Sequence, residues 1–410
     1  MKEKLGVLGE RNFRLFFSGY AVSLFGSAMV PVALTFAVLN EGYGAPDVGF
    51  VLAAQVVPLV ALLLIGGAVA DHLSRRVAML GADLLRFVSE GVLAALLIAG
   101  HPPLWLFMVL AGALGAGQAF FNPAMTGLLP ELVAPERLQA ANALSGVANS
   151  TGAVLGPSVA GVIVALGGAG WAIAIDAASY AVSAVCLWRL ILPARVRGER
   201  SSLVSQLAVG WREFRSRPWI WLIVGQFALF NALCLAPFLV LGAVLAHDRL
   251  GGAGVWGAIL AGFGAGSIAG GALAIRLRVR RPLVLGLVGT ALFALPLASL
   301  AVGAQTELLV AAAAVGGVGL AVFGVLWATA LQQNLPNEVL SRVSSYDWLG
   351  SVAFVPVGYA IAGPIGDAIG LRTFLLGAAG LAVISCFLVL SSRSVRAVGG
   401  GTLVDEVSRE

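Results

Sequence analysis

Twelve apolar runs, each close to the 20 or so residues that an α-helix needs to cross the hydrocarbon core of a bilayer, leave this chain few ways to fold. Approximate spans are 14–39, 47–70, 78–99, 104–127, 140–166, 171–191, 219–245, 255–275, 283–304, 307–331, 345–366 and 371–391. Inside a membrane every backbone N–H and C=O must be satisfied within the protein, so runs of this length can only be helices. Composition agrees: 59% of the 410 residues are hydrophobic and 11% charged, against about a quarter charged in soluble domains. So few charges cannot coat a chain of this size in water, which excludes a soluble enzyme.

Orientation follows from the basic residues. The loops on the side that holds both termini carry 22 of the 25 lysines and arginines, while Arg249 and Arg372 lie opposite and Arg86 lies within span 3. Positive charge is retained in the cytoplasm, so both termini are expected there, in a bacterial inner membrane. No small-residue cleavage site follows the first apolar run at signal-peptide distance, and that run is expected to remain as a span. Spreading the arginines over loops in this way also argues against nucleic-acid binding. One connection, from Arg189 to Pro218, is longer than the rest and holds seven arginines. It divides the spans six and six, giving an N-terminal bundle over 1–192, a cytoplasmic linker over 193–218, a C-terminal bundle over 219–392 and a tail over 393–410. Leu203, Leu207, Val209 or Gly210, Trp211 and Phe214 recur in the linker at helical spacing, as in a helix lying along the headgroups.

The halves repeat. Gly66-Gly67-Ala68-Val69-Ala70 precedes Arg75-Arg76, and Gly270-Gly271-Ala272-Leu273-Ala274 precedes Arg280-Arg281, 204 residues later. Leu129-Pro130 before Arg137 and Leu335-Pro336 before Arg342 repeat at nearly the same offset. Two parallel six-span halves are a common transporter design, and small residues let helices approach where no hydrophobic effect drives them together. Cys186, Cys234 and Cys386 each stand alone, without the spacing of a zinc site or a disulfide framework. No cofactor or metal is expected.

Gly67, Asp71, Ser74, Arg75 and Arg76 between spans 2 and 3 resemble the loop signature of the major facilitator superfamily, with Ser74 where that signature has glycine. The resemblance implies a twelve-helix fold of two pseudo-symmetric bundles and makes Gly67, Asp71, Arg75 and Arg76 a conformational latch. Gly152, Gly156, Pro157 and Gly161 in span 5 resemble the motif of the family's exporters, with Ala160 in place of a glycine. Arg11-Asn12-Phe13-Arg14-Leu15-Phe16, the stretch from Leu129-Pro130-Glu131-Leu132 to Ala141-Asn142-Ala143-Leu144-Ser145-Gly146, and Asp176-Ala177-Ala178-Ser179-Tyr180 are similar to the bacterial branch with macrolide-efflux-like and siderophore-exporter-like members. The arginine-bearing motif that many antiporters of the family keep in span 4 is absent, and span 1 has no acid.

Ionisable residues at membrane depth mark functional sites by default. Asp83, Arg86 and Glu90 share one face of span 3 at i, i+3 and i+7, so the arginine can neutralise either acid. Glu90 lies roughly 20 Å from the cytoplasmic boundary at 1.5 Å per residue. It is the deepest acid and the one least committed to a partner, which makes it the first candidate for proton coupling, with Asp83 and Arg86 beside it. A structural ion pair is the competing reading for those two. Asp176 and Asp367 lie near outer span ends, where solvated or capping roles are expected. The family fold implies that spans 1, 4, 7 and 10 wall a central cavity. Tyr20, Ser23 and Ser27, then Gln118, Phe121 and Asn122, then Phe227, Asn231 and Phe238, and finally Phe323 and Trp327 occupy single faces of those spans. Such a lining suits bulky amphiphiles better than sugars or small ions.

These features point to a monomeric secondary exporter of amphiphilic small molecules by alternating access, exchanging them against protons. A nutrient importer or facilitator shares the fold, and a non-transporting receptor or scaffold would need an interaction domain that the sequence does not display. No G-x-x-x-x-G-K-[ST] loop is present, which argues against an ATP-driven pump.

Overall fold

The computed structural model describes residues 6–72, 74–134, 137–191, 211–277, 279–335 and 337–399, with the side chains at 64–72, 139, 143, 275, 337–339, 341 and 342 outside that description. Among the described residues there are helices and no strands. The twelve long helices are α1 (Arg11–Asn40), α2 (Ala45–His72), α3 (Arg75–Ala99), α4 (Leu104–Leu132), α5 (Leu138–Gly167), α6 (Ala169–Trp188), α7 (Pro218–Leu250), α8 (Ala253–Arg276), α9 (Pro282–Ala301), α10 (Thr306–Asn334), α11 (337–369) and α12 (Leu371–Ser391). Eleven are apolar and long enough to cross a membrane. The exception, α3, has the length and fails on charge, because Asp83, Arg86 and Glu90 lie in its apolar stretch.

Several helices are interrupted, and proline explains where. In α1 the first segment ends at Ser27 and Pro31 follows four residues on; in α11 the first segment ends at Val352, four before Pro356. In α9 the first segment ends at Ala291 and the break at Leu292 and Phe293 again comes just before a proline, Pro296. Proline has no N–H to offer the carbonyl four positions back and its ring crowds that carbonyl, so the ladder opens there. Span α7 instead absorbs Pro237 with a π-helical turn over Asn231–Leu235, and a second such turn closes it at Ala246–Leu250.

The packing repeats with a shift of six helices. In the first half α3 lies against α4 and α6, and α1 against α5 and α6. In the second half α9 lies against α10 and α12, and α7 against α11 and α12. Small residues make the same kind of seam in both: Gly115 of α4 faces the backbone of Gln55 in α2, and Gly266 of α8 faces the backbone of Ala314 in α10. The twelve helices thus form the two pseudo-symmetric bundles that the repeat implies.

The chain clusters into two compact units. The first comprises Met1–Arg195 with Ala243–Ala261 and Tyr359–Gly363, and the second Val196–Gly242 with Gly262–Gly358 and Pro364–Glu410. Phe13, Phe16, Met79, Phe121, Leu128 and Leu187 are buried in one core of the first unit. Trp219, Ile223, Phe323, Trp327 and Leu331 are buried in a core of the second. Residues 211–216 of the linker are helical, with Phe214 buried and Trp211 stacked on it; Leu203, Leu207, Val209 and Gly210 lie outside the described residues.

Candidate functional site

The polar interior of the first unit is built on α3. Ser74 caps its start, its hydroxyl accepting from the Val77 N–H at 3.2 Å, and gives the turn a hydroxyl where the family signature has glycine. The next two residues reach sideways to neighbouring helix ends. Arg75 donates to the Gly127 carbonyl and pairs with Glu131 at 2.8 Å, near the end of α4. Arg76 donates to the Leu190 carbonyl at 2.9 Å and to the Trp188 carbonyl, at the end of α6. Guanidinium groups suit these positions, because the C-terminal end of a helix dipole is negative and, at the end of α6, the terminal carbonyls lack helical donors. Gly67 and the side chain of Asp71, the other latch residues, lie outside the described part.

Two turns and more deeper, α3 buries Asp83, Arg86 and Glu90, the two acids at no more than 3% exposure. Asp83 and Arg86 form an ion pair. The guanidinium carbon of Arg86 stands 4.4 Å from the ring centroid of Phe121 on α4 and 4.3 Å from that of Tyr180 on α6, a double cation–π contact. Room for this arginine comes from Gly117 of α4, where a Cβ would stand 2.7 Å from the Arg86 Cγ.

Asp176 is fully buried, which corrects the expectation of a solvated or capping acid at the outer end of span 6. It sits seven residues into α6, about 10 Å along the axis. Its carboxyl neighbours that of Glu90, so Glu90 does not stand alone. Ser179 donates to Asp176 Oδ1 at 2.9 Å, and Ser183 is buried one turn further along α6. The Tyr180 hydroxyl lies 2.9 Å from Ser27 Oγ on α1. Gly26 lets α1 approach, since a Cβ there would be 2.6 Å from Ser179 Oγ. A readable signal existed: Asp176, Ser179, Tyr180 and Ser183 fall at i, i+3, i+4 and i+7, a polar stripe on α6 that answers the stripe on α3.

The residues expected to line a cavity are in different settings. Ser27 and Phe121 belong to the buried cluster just described, and Ser23 is buried, its carbonyl accepting from Ser27 at 2.8 Å. Tyr20 stacks on Phe16 at 5.7 Å, while Gln118 and Asn122 are half-buried on α4. In the second unit, Phe227 stacks on Phe323 at 4.3 Å and Phe323 on Trp327 at 6.1 Å, a ladder of rings across α7 and α10. Asn231 donates to the Ser351 carbonyl at 2.8 Å, beside the π-turn, and Phe238 is buried edge-on against Phe293. Trp327 Nε1 donates to Asp347 Oδ2 at 2.9 Å, an acid that sequence reasoning passed over because it stands at the start of the apolar run 345–366 with no charged neighbour at helical spacing. Asp367 is exposed.

The glycines of span 5 lie along tight seams of the first unit. A Cβ on Gly152 would stand 3.0 Å from Leu24 Cδ2, and one on Gly156 would stand 2.5 Å from the Ala28 Cβ, at the break in α1. Gly161 faces Ala253 and Gly257 of α8, where a Cβ would stand 2.6 Å from the Ala253 carbonyl oxygen. Pro157, between them, is half-buried within the helix, and its carbonyl faces Gly257.

The family described as Major Facilitator Superfamily matches residues 16–347. Macrolide efflux protein A of Streptococcus pyogenes is 23% identical over 382 residues, covering 89% of this chain and 92% of that protein. Multidrug efflux pump Tap of Mycolicibacterium fortuitum is 27% identical, covering 85% and 88% respectively. Among solved structures, a crystal structure of the nucleoside transporter NupG superimposes with a TM-score of 0.72 at 15% identity, covering 93% of this chain and 99% of that one.

Proposed function

This chain belongs to the Major Facilitator Superfamily, a multi-pass membrane transporter and not an enzyme, and on that premise we propose that it exports bulky amphiphilic small molecules, such as antibiotics or secondary metabolites, in exchange for protons. The observation that carries export is the likeness, over most of the chain, to proteins named for efflux. The aromatic ladder Phe227, Phe323 and Trp327 supports an amphiphilic substrate, because stacked rings bind apolar bodies of varied shape. The buried acids of α3 and α6 support proton exchange, since such groups are costly to keep in a bilayer and earn their place by function. Both termini and the arginine-rich linker lie in the cytoplasm, and Asp71 with Arg75 and Arg76 acts as the latch of the transport cycle.

Export is tested in an efflux-deficient bacterial host expressing the chain and challenged with toxic amphiphiles, with and without an uncoupler. Raised tolerance that the uncoupler abolishes supports the reading. Uptake into right-side-out vesicles with none into inverted ones would identify an importer instead and overturn it.

A further inference from the structure

Glu90 and Asp176 stand on α3 and α6, which pack along each other, and both carboxyl groups are neighbours buried in that seam. Two ionised carboxylates placed together away from water would repel each other, and one proton shared between them would relieve that repulsion. A census of the surrounding charges points the same way. From α3 come Asp83 and Arg86; from α6 come Asp176 itself and the phenol of Tyr180; α1 and α4 present Gly26, Ser27, Gly117 and Phe121, none of which titrates. Arg86 is ion-paired with Asp83 and is the one cation named among these groups, so Glu90 and Asp176 share with Asp83 a single positive charge. Glu90 Oε2 and Asp176 Oδ2 are buried and lack any hydrogen-bond partner, so a second negative charge on the pair would have only the Ser179 hydroxyl and a guanidinium already paired with Asp83 to stabilise it.

We propose that Glu90 and Asp176 form a single proton site, in which two carboxyl groups share one proton while α3 and α6 are packed together and both ionise when those helices part. This rests on the proton-exchange reading above and moves the acceptor from one residue to a pair. In the step itself the shared proton passes to water, no other bond is made or broken, and the cluster gains one negative charge. Two neighbouring carboxylates then repel, which favours the parted arrangement; rebinding one proton restores the hydrogen bond and the seam. Both acids are shut off from solvent here, Asp176 fully and Glu90 at 3% exposure, and the small cavity beside Glu90 is lined mostly by apolar side chains such as Val30, Leu34, Leu93 and Leu110. Proton exchange therefore requires helix movement. That movement reaches α1 through the Ser27–Tyr180 contact and the close approach at Gly26, and α1 carries Tyr20 and Ser23 of the expected substrate surface.

The test is infrared difference spectroscopy of the purified full-length protein in liposomes, following the C=O band of protonated carboxyl groups as pH is stepped through the neutral range. Wild type is expected to lose such a band in one step. Glu90→Gln and Asp176→Asn should each displace the midpoint by about one pH unit or more, a roughly tenfold change in proton affinity, since each removes half of the pair. The double variant should lack the step. A midpoint unmoved by Asp176→Asn would overturn the pair in favour of Glu90 alone, and wild-type protein without a titrating band would overturn it outright. The exchange of the two acids, Glu90→Asp with Asp176→Glu, keeps both carboxyl groups and should keep the step even if the amide variants fold poorly. No transported compound is needed, so the result stands or falls apart from the export reading.

Discussion

At the scale of single residues, Arg86 is the piece on which the buried cluster depends. It is the ion-pair partner of Asp83 and lies between the rings of Phe121 and Tyr180, in a space that Gly117 leaves open. Removing one member of a buried pair strands the other charge, so Arg86→Met is expected to destabilise the protein by about 3–5 kcal/mol. Adding Asp83→Asn to it should recover most of that loss, because the stranded charge disappears. Unfolding in detergent, followed by tryptophan fluorescence, measures both; equal losses in the single and double variants would mean that packing against the rings, and not the charge, sets the cost. The spacing of Asp83, Arg86 and Glu90 was plain in the sequence. Their partner was not: Asp176 reads as an end-of-span acid when depth is counted along one helix, and only the pairing of α3 with α6 places it opposite Glu90.

At the scale of elements, seams between helices depend on the absence of side chains. Gly156 of α5 touches α1 at Ala28, where the helix is already opened by Pro31, so Gly156→Leu should force the two apart and abolish transport. Export assays on membranes with matched amounts of protein test this, and normal activity would mean that the seam can yield. The arginines that begin α3 act differently, by satisfying carbonyls at the ends of α4 and α6. Arg76→Ala removes two such contacts and should lower stability by about 1 kcal/mol, a figure typical of a cation at a helix terminus. An unchanged unfolding midpoint would show that water replaces the guanidinium without loss. Helices and their order could be read from apolar length, and the glycine motifs marked two of the seams. The interruptions in α1, α9 and α11 could have been read from Pro31, Pro296 and Pro356, but hydropathy averages over them and a span count has no use for them.

At the scale of the whole molecule, the six-helix shift in packing partners means that corresponding helices of the halves meet equivalent neighbours, while the charged residues break that symmetry. Asp83, Arg86, Glu90 and Asp176 gather in the first unit, and the aromatic ladder with Asp347 gathers in the second. On the proposed reading, the acids of the first unit would serve proton exchange and the rings of the second would contact the amphiphile. Glu90→Gln should therefore lose gradient-driven accumulation in liposomes while still binding substrate, and retained accumulation would remove the acid from the coupling path. The most direct test follows both species at once: the wild-type protein is reconstituted in liposomes containing a pH dye, a pH gradient of either sign is imposed, and flux of a fluorescent amphiphile is recorded beside lumenal pH. Exchange predicts that the amphiphile moves against the proton flow and reverses when the gradient is reversed. Amphiphile flux that ignores the gradient, or that runs in the same direction as the protons, would contradict it.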